Sequence, residues 1–272
     1  MIRGCWKASP RGVRGGPPVI LPRSDAEIAG IACAGEIVAA ALQAAVGLVE
    51  PGVTTGTLDK AVADVISASE AEAIFLAEGG RTPFPAASCV SVNHQALHGI
   101  PGDLALASGD LVTIDTGCRL NGWCADAAIS TGVGELSSEN QRLLAGGRRV
   151  LEGVLEAMEG LAERIHWSEV VDRAHAEASH MGVRLIEGPA GHGIGRVLHE
   201  DPVAGWSRPV TADFEVVPGL VLAVEPVVTS GDGRLSLSKD GWTLSTVDGH
   251  PTVHFERTVA VTEAGVTVLT RW

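Results

Sequence analysis

The most constraining feature of this sequence is a β-hairpin signal in residues 110–131. Two apolar runs meet there at Asn121-Gly122. Asn-Gly between such runs is a strong signal for a two-residue hairpin turn. A turn of that length also sets the strand register, because it places Leu120 opposite Trp123 and fixes every other pair. The sequence therefore predicts a long antiparallel hairpin of defined register.

Two aspartates are expected on one face of this hairpin. The register places Asp126 opposite Gly117, and Asp115 lies two residues before Gly117. Residues related in this diagonal way have Cα atoms ~7–8 Å apart. Two such carboxylates can share a pair of cations, which lie ~3.5–4 Å apart in two-metal hydrolases, and without metal their charges repel each other. A single aspartate would ordinarily be explained as the cap of a strand end. This explanation is weaker for two aspartates on one face of an apolar hairpin.

Three further polar residues stand out downstream of the hairpin. His192 lies in a glycine-rich segment, interpreted as a loop, that also contains His199. Glycines let the backbone turn tightly around His192, and a neutral imidazole is a good ligand for first-row metals. Glu225 and Glu256 lie in two separate apolar runs, where a carboxylate is costly unless it is paired or bound to metal. The alternatives are a hydrogen-bonded histidine and salt bridges from the glutamates to nearby arginines.

These patterns give a set of candidate metal ligands: Asp115, Asp126, His192, Glu225 and Glu256. One histidine with four carboxylates is an oxygen-rich set that suits Mn, Fe(II), Co or Zn in pairs. The five cysteines are odd in number and include no Cys-x-x-Cys pair, so they are interpreted as reduced thiols. A dinuclear site is therefore favoured over a structural zinc site.

The order of elements indicates an α+β fold of two similar halves. Ser24 opens a helix with capping-box spacing, Pro51-Gly52 ends it, and Thr57 is the expected cap of a second helix. Two more helices are predicted at 138–161 and 168–181. Strands are predicted at 73–76, 88–92, 183–187, 219–229, 242–247, 252–262 and 266–270. Each half is thus expected to be a helix pair on an antiparallel sheet.

Composition narrows the class of protein. The 272 residues are 45% hydrophobic, which is too apolar for a disordered chain. The net charge of −13 argues against non-specific binding of nucleic acid. No run approaches the ~18 consecutive apolar residues of a membrane helix, and no secretory signal is visible. We therefore expect a cytoplasmic protein without membrane association.

The first 23 residues differ from the rest in charge. They contain five basic residues and no acid, with Gly and Pro near their end. A flexible basic extension is predicted for 1–23, ahead of a catalytic domain at 24–272. The extension is a solvated tail, a contact for ribosomal RNA, or a consequence of start-site choice, and the sequence leaves these alternatives open.

From Ser24 to Thr270 the sequence resembles the type I methionine aminopeptidases, which are metallopeptidases of the pita-bread fold. The matching stretches are Ser91-Val-Asn93 with His98-Gly-Ile-Pro101, Gly109–Asp115, Asp126, Gly191–Arg196 with His199–Pro202, Gly219–Pro226, Asp240–Thr243 and Glu256-Arg-Thr. The short interval between His192 and Glu225 leaves no room for the helical insert of the type II enzymes. The resemblance implies two pseudo-symmetric halves, a monomer, and removal of methionine from the N-terminus of a peptide or nascent protein.

The resemblance also implies a role for each candidate ligand. Asp126 and Glu256 would bridge two divalent metal ions, Asp115 would complete one site, and His192 with Glu225 would complete the other. A metal-bridging water or hydroxide would attack the scissile carbonyl, with Glu225 as the proton-transfer group.

Other residues would contact the substrate. The resemblance implies that His199 stabilises the developing oxyanion and that His98 positions the substrate near its first peptide bond. The walls expected for the pocket of the first residue are Phe84, Cys89, Leu198 and Trp242, with ordinary core packing as the alternative.

The sequence departs from the family at this pocket. The family lines it with aromatic and cysteine side chains, but the chain has no tyrosine, and Leu198 stands where an aromatic is common. His254 stands two residues before Glu256, where an amide is usual, and is either a contact to a metal ligand or an ordinary strand residue. Modest reshaping of a pocket changes selectivity, since one methylene is worth only ~1–3 kcal/mol. The alternatives to a methionine aminopeptidase are a paralogue with altered first-residue specificity and a non-catalytic pita-bread binding protein.

Overall fold

The structure is a computed structural model that describes residues 20–76, 78–79, 82–159 and 165–272. Its helices are α1 Asp25–Val46, α2 Thr55–Ala68, α3 Ser138–Met158 and α4 Trp167–His180. Its strands are β1 Glu72–Ala73, β2 Ser88–Val92, β3 Gln95–Leu97, β4 Leu111–Leu120, β5 Trp123–Gly132, β6 Arg184–Leu185, β7 Ala190–Gly193, β8 Glu200–Gly205, β9 Val221–Val224, β10 Val227–Thr229, β11 Leu235–Leu237, β12 Leu244–Thr246, β13 Thr252–His254, β14 Arg257–Thr262 and β15 Gly265–Val268. Helices and antiparallel sheets together confirm the α+β class.

The central hairpin of β4 and β5 has the predicted register. Leu120 pairs with Trp123, and Gly117 pairs with Asp126. Asn121 has a φ of 50° and Gly122 a φ of 80°, the positive values that a type I′ turn requires. The local turn chemistry therefore sets which residues share a face of this hairpin.

The fold has two halves, each with its own apolar core. In the first half, α1 and α2 pack on the sheet β1-β4-β2 and on β5. In the second half, α3 and α4 pack on the sheets β13-β10-β6 and β15-β14-β9-β7-β8. A small sheet, β11-β12-β3, borders both halves. The predicted arrangement of a helix pair on antiparallel sheet in each half is confirmed.

Helix α1 is the most apolar helix of the described residues. By length and composition alone it would suffice to cross a membrane, yet it packs against α2, β4 and β5 and buries eight of its residues. A Cβ on Gly35 would lie 2.2 Å from the Leu269 carbonyl oxygen, so the helix approaches that backbone too closely for any other residue. Its apolar character is that of a core helix.

The structure corrects the predicted cap of α2, two predicted strands and one predicted loop. Thr54, not Thr57, caps α2, because its hydroxyl accepts a hydrogen bond from the Thr57 amide at 3.2 Å. The predicted strand 219–229 is interrupted at Glu225-Pro226, and the predicted strand 252–262 is interrupted at Phe255-Glu256. The glycine-rich segment around His192 forms β7, which pairs with β8 and β9, rather than a loop.

The predicted basic extension falls largely outside the described residues, which begin at 20. Arg23 already belongs to the fold: its amide donates to the Gly219 carbonyl at 2.8 Å, and its guanidinium pairs with Glu200. The boundary between 1–23 and 24–272 remains a prediction.

Candidate active site

The five candidate metal ligands converge where the two halves meet. Two come from the hairpin of the first half, and three come from strands or strand breaks of the second half: Asp115 on β4, Asp126 on β5, His192 on β7, Glu225 after β9 and Glu256 between β13 and β14. All are buried except Glu225, whose side chain is 13% exposed. A set that is scattered along the sequence thus forms one cluster.

The breaks in the sheets position the two glutamates. Strand β9 ends at Val224, and Pro226, which has no N–H to donate, prevents the ladder from continuing through Glu225. Glu256 leaves its ladder as well, and its amide donates instead to the Ala128 carbonyl on β5 at 3.0 Å. Both side chains therefore lie at bends of the chain and not within regular strands.

The halves are joined beside the cluster by a reciprocal pair of hydrogen bonds. The Asp126 amide donates to the Thr258 hydroxyl at 3.0 Å, and that hydroxyl donates to the Asp126 carbonyl at 2.7 Å. This contact fixes β5 against β14 at the point where the carboxylates meet.

The buried carboxylates are electrostatically unfavourable on their own. Burial raises the pKa of Asp115 to about 7. Burial, together with repulsion between the acids, holds the pKa values of Asp126, Glu225 and Glu256 well above their usual range. Asp115 Oδ1, Asp126 Oδ1 and Glu256 Oε1 have no hydrogen-bond partner among the residues that the structure describes. Buried acceptors of this kind are costly unless a cation balances them, so the site fits a divalent metal ion.

His192 is oriented to complete such a site. Its Nδ1 lies 3.0 Å from the Gly193 carbonyl, which holds the ring proton on that nitrogen and leaves the lone pair on Nε2. Nε2 lies 3.6 Å from Glu225 Oε1 and 3.9 Å from Asp126 Oδ2. Burial lowers the pKa of His192 to about 4, so the ring is neutral and suited to binding metal.

The donor atoms form two groups that share Glu256. One group is Asp126, His192 and Glu256, and the other is Asp115, His254 and Glu256. Within each group the potential donor atoms lie within 4.8 Å of one another. The sequence left His254 as either a contact to a metal ligand or an ordinary strand residue, and the structure places its ring among the donor atoms of the cluster.

Metal binding is expected to release protons, and more of them near pH 6 than near pH 9, because the cation takes the ionised form of these acids. Their raised pKa values keep protons on the metal-free fold, and these protons are lost as the pH rises through about 7 for Asp115. His192 contributes none, since its pKa of about 4 leaves it neutral. Calorimetric titration of Mn in buffers of different ionisation enthalpy measures the release. A release that does not change with pH would contradict this account.

Two more histidines lie at the cluster. The His199 ring lies 4.3 Å from the His192 ring between centroids. Burial lowers the pKa of His199 to about 2, and the nearby rings of His192 and His98 add to this effect. His98 is buried with a φ of 55°, and burial lowers its pKa to about 4. Both are neutral rings, able to donate a hydrogen bond without carrying charge.

A small pocket lies beside His98. Its lining is Phe75, Glu78, Phe84, Cys89, His98 and Trp242. Phe84 and Trp242 meet edge to face at 5.2 Å, and the Trp242 indole nitrogen donates to the Thr82 carbonyl at 3.0 Å. Two phenylalanines, one tryptophan and one cysteine give this pocket a mainly apolar wall.

The pocket lining differs in part from the expected one. Phe84, Cys89 and Trp242 line it as expected, whereas Leu198 is buried in the same apolar cluster but is not part of the lining. Phe75 and Glu78 were missed. The sequence indicated only that Phe75 lies in a strand, and nothing in it placed Glu78 near the pocket.

Comparison with known proteins gives a consistent result. Residues 29–263 match the model of metallopeptidase family M24. The chain is 38% identical over 259 residues to methionine aminopeptidase 1 of Mycobacterium tuberculosis, covering 94% of this chain and 96% of that protein. It is 36% identical to the methionine aminopeptidase of Clostridium perfringens, covering 93% and 99%.

A solved structure agrees in fold as well as in sequence. The crystal structure of methionine aminopeptidase from Thermotoga maritima superposes with a TM-score of 0.87 at 32% identity. The superposition covers 93% of this chain and 100% of that one. The expected pita-bread fold is therefore confirmed.

Proposed function

Because the chain belongs to metallopeptidase family M24, we infer that it is a metal-dependent aminopeptidase that removes methionine from the N-terminus of peptides and proteins. The observation that carries this function is the cluster of buried histidine and mutually repelling carboxylates next to a small pocket with an apolar wall. A cluster without a pocket would indicate only a structural site. A pocket without the cluster would leave hydrolysis unexplained.

We propose that the cluster holds two divalent metal ions, Co, Mn, Fe or Zn. The residues that would hold them are Asp115, Asp126, His192, Glu225 and Glu256. Divalent ions in such a site polarise the scissile carbonyl and lower the pKa of water so that it can serve as nucleophile. Two groups that share Glu256 support two ions rather than one.

The remaining steps fall to side chains around the cluster. Glu225 is the most exposed of the ligands, with its side chain 13% exposed, so it is the carboxyl best placed to exchange a proton with the reacting groups. His199 would donate a hydrogen bond to the oxygen that gains charge. His98 borders both the pocket and the cluster, which supports a role in placing the first peptide bond.

The pocket would bind the side chain of the first residue. Phe84, Cys89 and Trp242 give it an apolar wall suited to methionine. Glu78, which also lines the pocket, favours a second candidate function: a paralogue of the same mechanism that also accepts a basic first residue.

A substrate panel decides between these two functions. The protein would be stripped with chelator, reloaded with Mn, Co, Fe(II) or Zn, and tested on Met-Ala-Ser, other Xaa-Ala-Ser peptides and Xaa-Pro peptides. We expect metal-restored cleavage with at least about 10-fold preference for methionine over a small apolar residue. Equal rates for Lys-Ala-Ser, lost in Glu78→Gln while Met-Ala-Ser cleavage is retained, would establish the paralogue instead.

A result of stoichiometric metal binding without cleavage of any peptide would contradict both enzymatic functions. It would favour the binding-protein alternative. That alternative predicts loss of ligands, whereas the cluster has all five.

We further propose that the protein acts in the cytoplasm, as a monomer, on nascent chains. Contact with the ribosome through the basic residues of 1–23 remains a prediction, because most of this segment lies outside the described residues.

A further inference from the structure

His254 is a buried histidine whose ring makes no hydrogen bond within the described part of the chain. Its side chain is 1% exposed, and neither Nδ1 nor Nε2 has a hydrogen-bond partner in residues 20–76, 78–79, 82–159 and 165–272. The backbone around it is firmly held: the His254 amide donates to the Ser130 hydroxyl at 2.8 Å, and that hydroxyl lies 2.8 Å from the His254 carbonyl. Burying an imidazole with both nitrogens unpaired is costly, so the ring is expected to have a partner that is not a protein group.

The distances from this ring point to the kind of partner. Nε2 lies 3.8 Å from Glu256 Oε2 and 3.9 Å from Glu225 Oε2. These separations exceed the ~2.7–3.2 Å of a hydrogen bond. Two ligands that each lie about 2.0–2.2 Å from one cation are separated from each other by about 3–4 Å. The ring is therefore too far to bond to the acids and well placed to share a cation with one of them.

The same relation holds for His192 on the other side of the cluster. Its Nε2 lies 3.6 Å from Glu225 Oε1 and 3.9 Å from Asp126 Oδ2. Glu225 is thus flanked by two imidazoles, one on each oxygen, and each group of donor atoms contains one histidine. The arrangement is close to symmetric about Glu225 and Glu256.

We propose that His254 is a sixth protein ligand, which donates a ring nitrogen to the metal ion held by Asp115 and Glu256. The inference rests on the proposed function, since it concerns the same metal site. It gives each of the two ions one imidazole, whereas the five ligands expected from the sequence give an imidazole to one ion only.

A nitrogen ligand changes which metal the subsite prefers. Sites of this kind bind Co more tightly than Mn whatever their ligands, and carboxylates suit Mn better than imidazole does. With His254 coordinated, the preference of the Asp115 subsite for Co over Mn should therefore be larger than carboxylates alone would give. Replacing the ring with an amide should reduce that preference.

The test uses the full chain in three forms: wild type, His254→Gln and the control His250→Gln. His250 is an exposed histidine near the start of β13, where it contacts Asp248. His250→Gln therefore shows the effect of replacing a histidine with glutamine away from the metal site. Proton NMR of the Co(II)-loaded proteins counts coordinated imidazoles by their paramagnetically shifted ring N–H signals. We expect two in wild type, one in His254→Gln and two in His250→Gln.

Stepwise titration with Co and with Mn gives a second readout that does not depend on activity. His254→Gln should bind one Co ion with wild-type affinity and the other at least about 10-fold more weakly. Even residues that contact a metal ligand without binding the metal contribute about 10–100-fold to affinity, so the loss of a direct ligand should cost at least this much. The loss for Mn should be smaller. The thermal midpoint should fall less in the metal-free protein than in the Co-loaded protein, because the variant exchanges one buried polar side chain for another and loses a ligand only when metal is bound.

Two outcomes would overturn the inference. One is a single shifted imidazole in the wild type, with the same affinities in His254→Gln. The other is an equal fall of the thermal midpoint with and without metal, which would assign His254 to packing. Either result leaves the proposed function standing if the wild type still cleaves Met-Ala-Ser, whereas absence of metal binding in the wild type would remove both.

Discussion

Replacing Asp126 with alanine is expected to lower kcat/KM for Met-Ala-Ser by at least about 10³-fold, because metal ions supply several kcal/mol of transition-state stabilisation. Asp126 belongs to the group with His192 and Glu256, and the charges of Asp115 and Glu225 help to raise its pKa. Its removal should lower the bound metal per chain, measured by elemental analysis after dialysis. The same change relieves repulsion among the buried acids, so the metal-free variant should be at least as resistant to urea as the wild type.

Two further variants separate the effect of the Asp126 charge from that of removing a carboxylate elsewhere. Asp126→Asn keeps the shape of the side chain without its charge and should also lose metal. Asp103→Ala removes an exposed carboxylate of the same type and should leave both metal content and activity unchanged. Full activity in Asp126→Ala would disprove the assignment of the metal site.

Replacing His199 with alanine is expected to reduce kcat by about 10²–10³-fold, which is the cost of removing one oxyanion donor. The ring lies against His192 but belongs to neither group of metal donors, so metal content should stay at the wild-type value. KM should change little, because the interaction strengthens as charge develops on the substrate oxygen.

The pH profile offers an independent check on His199. Its pKa is lowered to about 2, so the ring stays neutral across the working range and the acid limb of the profile should not move in the variant. A fall in metal content equal to the fall in kcat would show that His199 supports the metal site instead.

The parts of the fold that sequence predicted well depend on local chemistry. Asn121-Gly122 sets the hairpin register through the conformations of two adjacent residues, so the placement of Asp126 opposite Gly117 was predictable. The ligands were conspicuous for a related reason, since a charged residue such as Glu225 within an apolar run needs a special partner.

The parts that failed depend on contacts between distant segments. The break at Phe255-Glu256 arises because the Glu256 amide donates to Ala128 on the other half, and no property of the apolar run signals that bond. The pocket residues Phe75 and Glu78 lie in the segment that connects β1 to β2, and the course of that segment places them beside the pocket. Thr57 was predicted as the cap in place of Thr54 because both residues are threonines, which are common helix caps, and they lie within one turn of each other.

The reciprocal contact between Asp126 and Thr258 has a consequence for the dynamics of the metal-free protein. It lies on the seam between the two cores, beside acids that repel one another. Cooperative units of a protein open with different free energies, and this seam carries the least favourable electrostatics described in the fold. Without cations, amide hydrogen exchange at Asp126 and Thr258 should therefore be faster than at the other buried residues of β5 and β14, and metal should slow it there most.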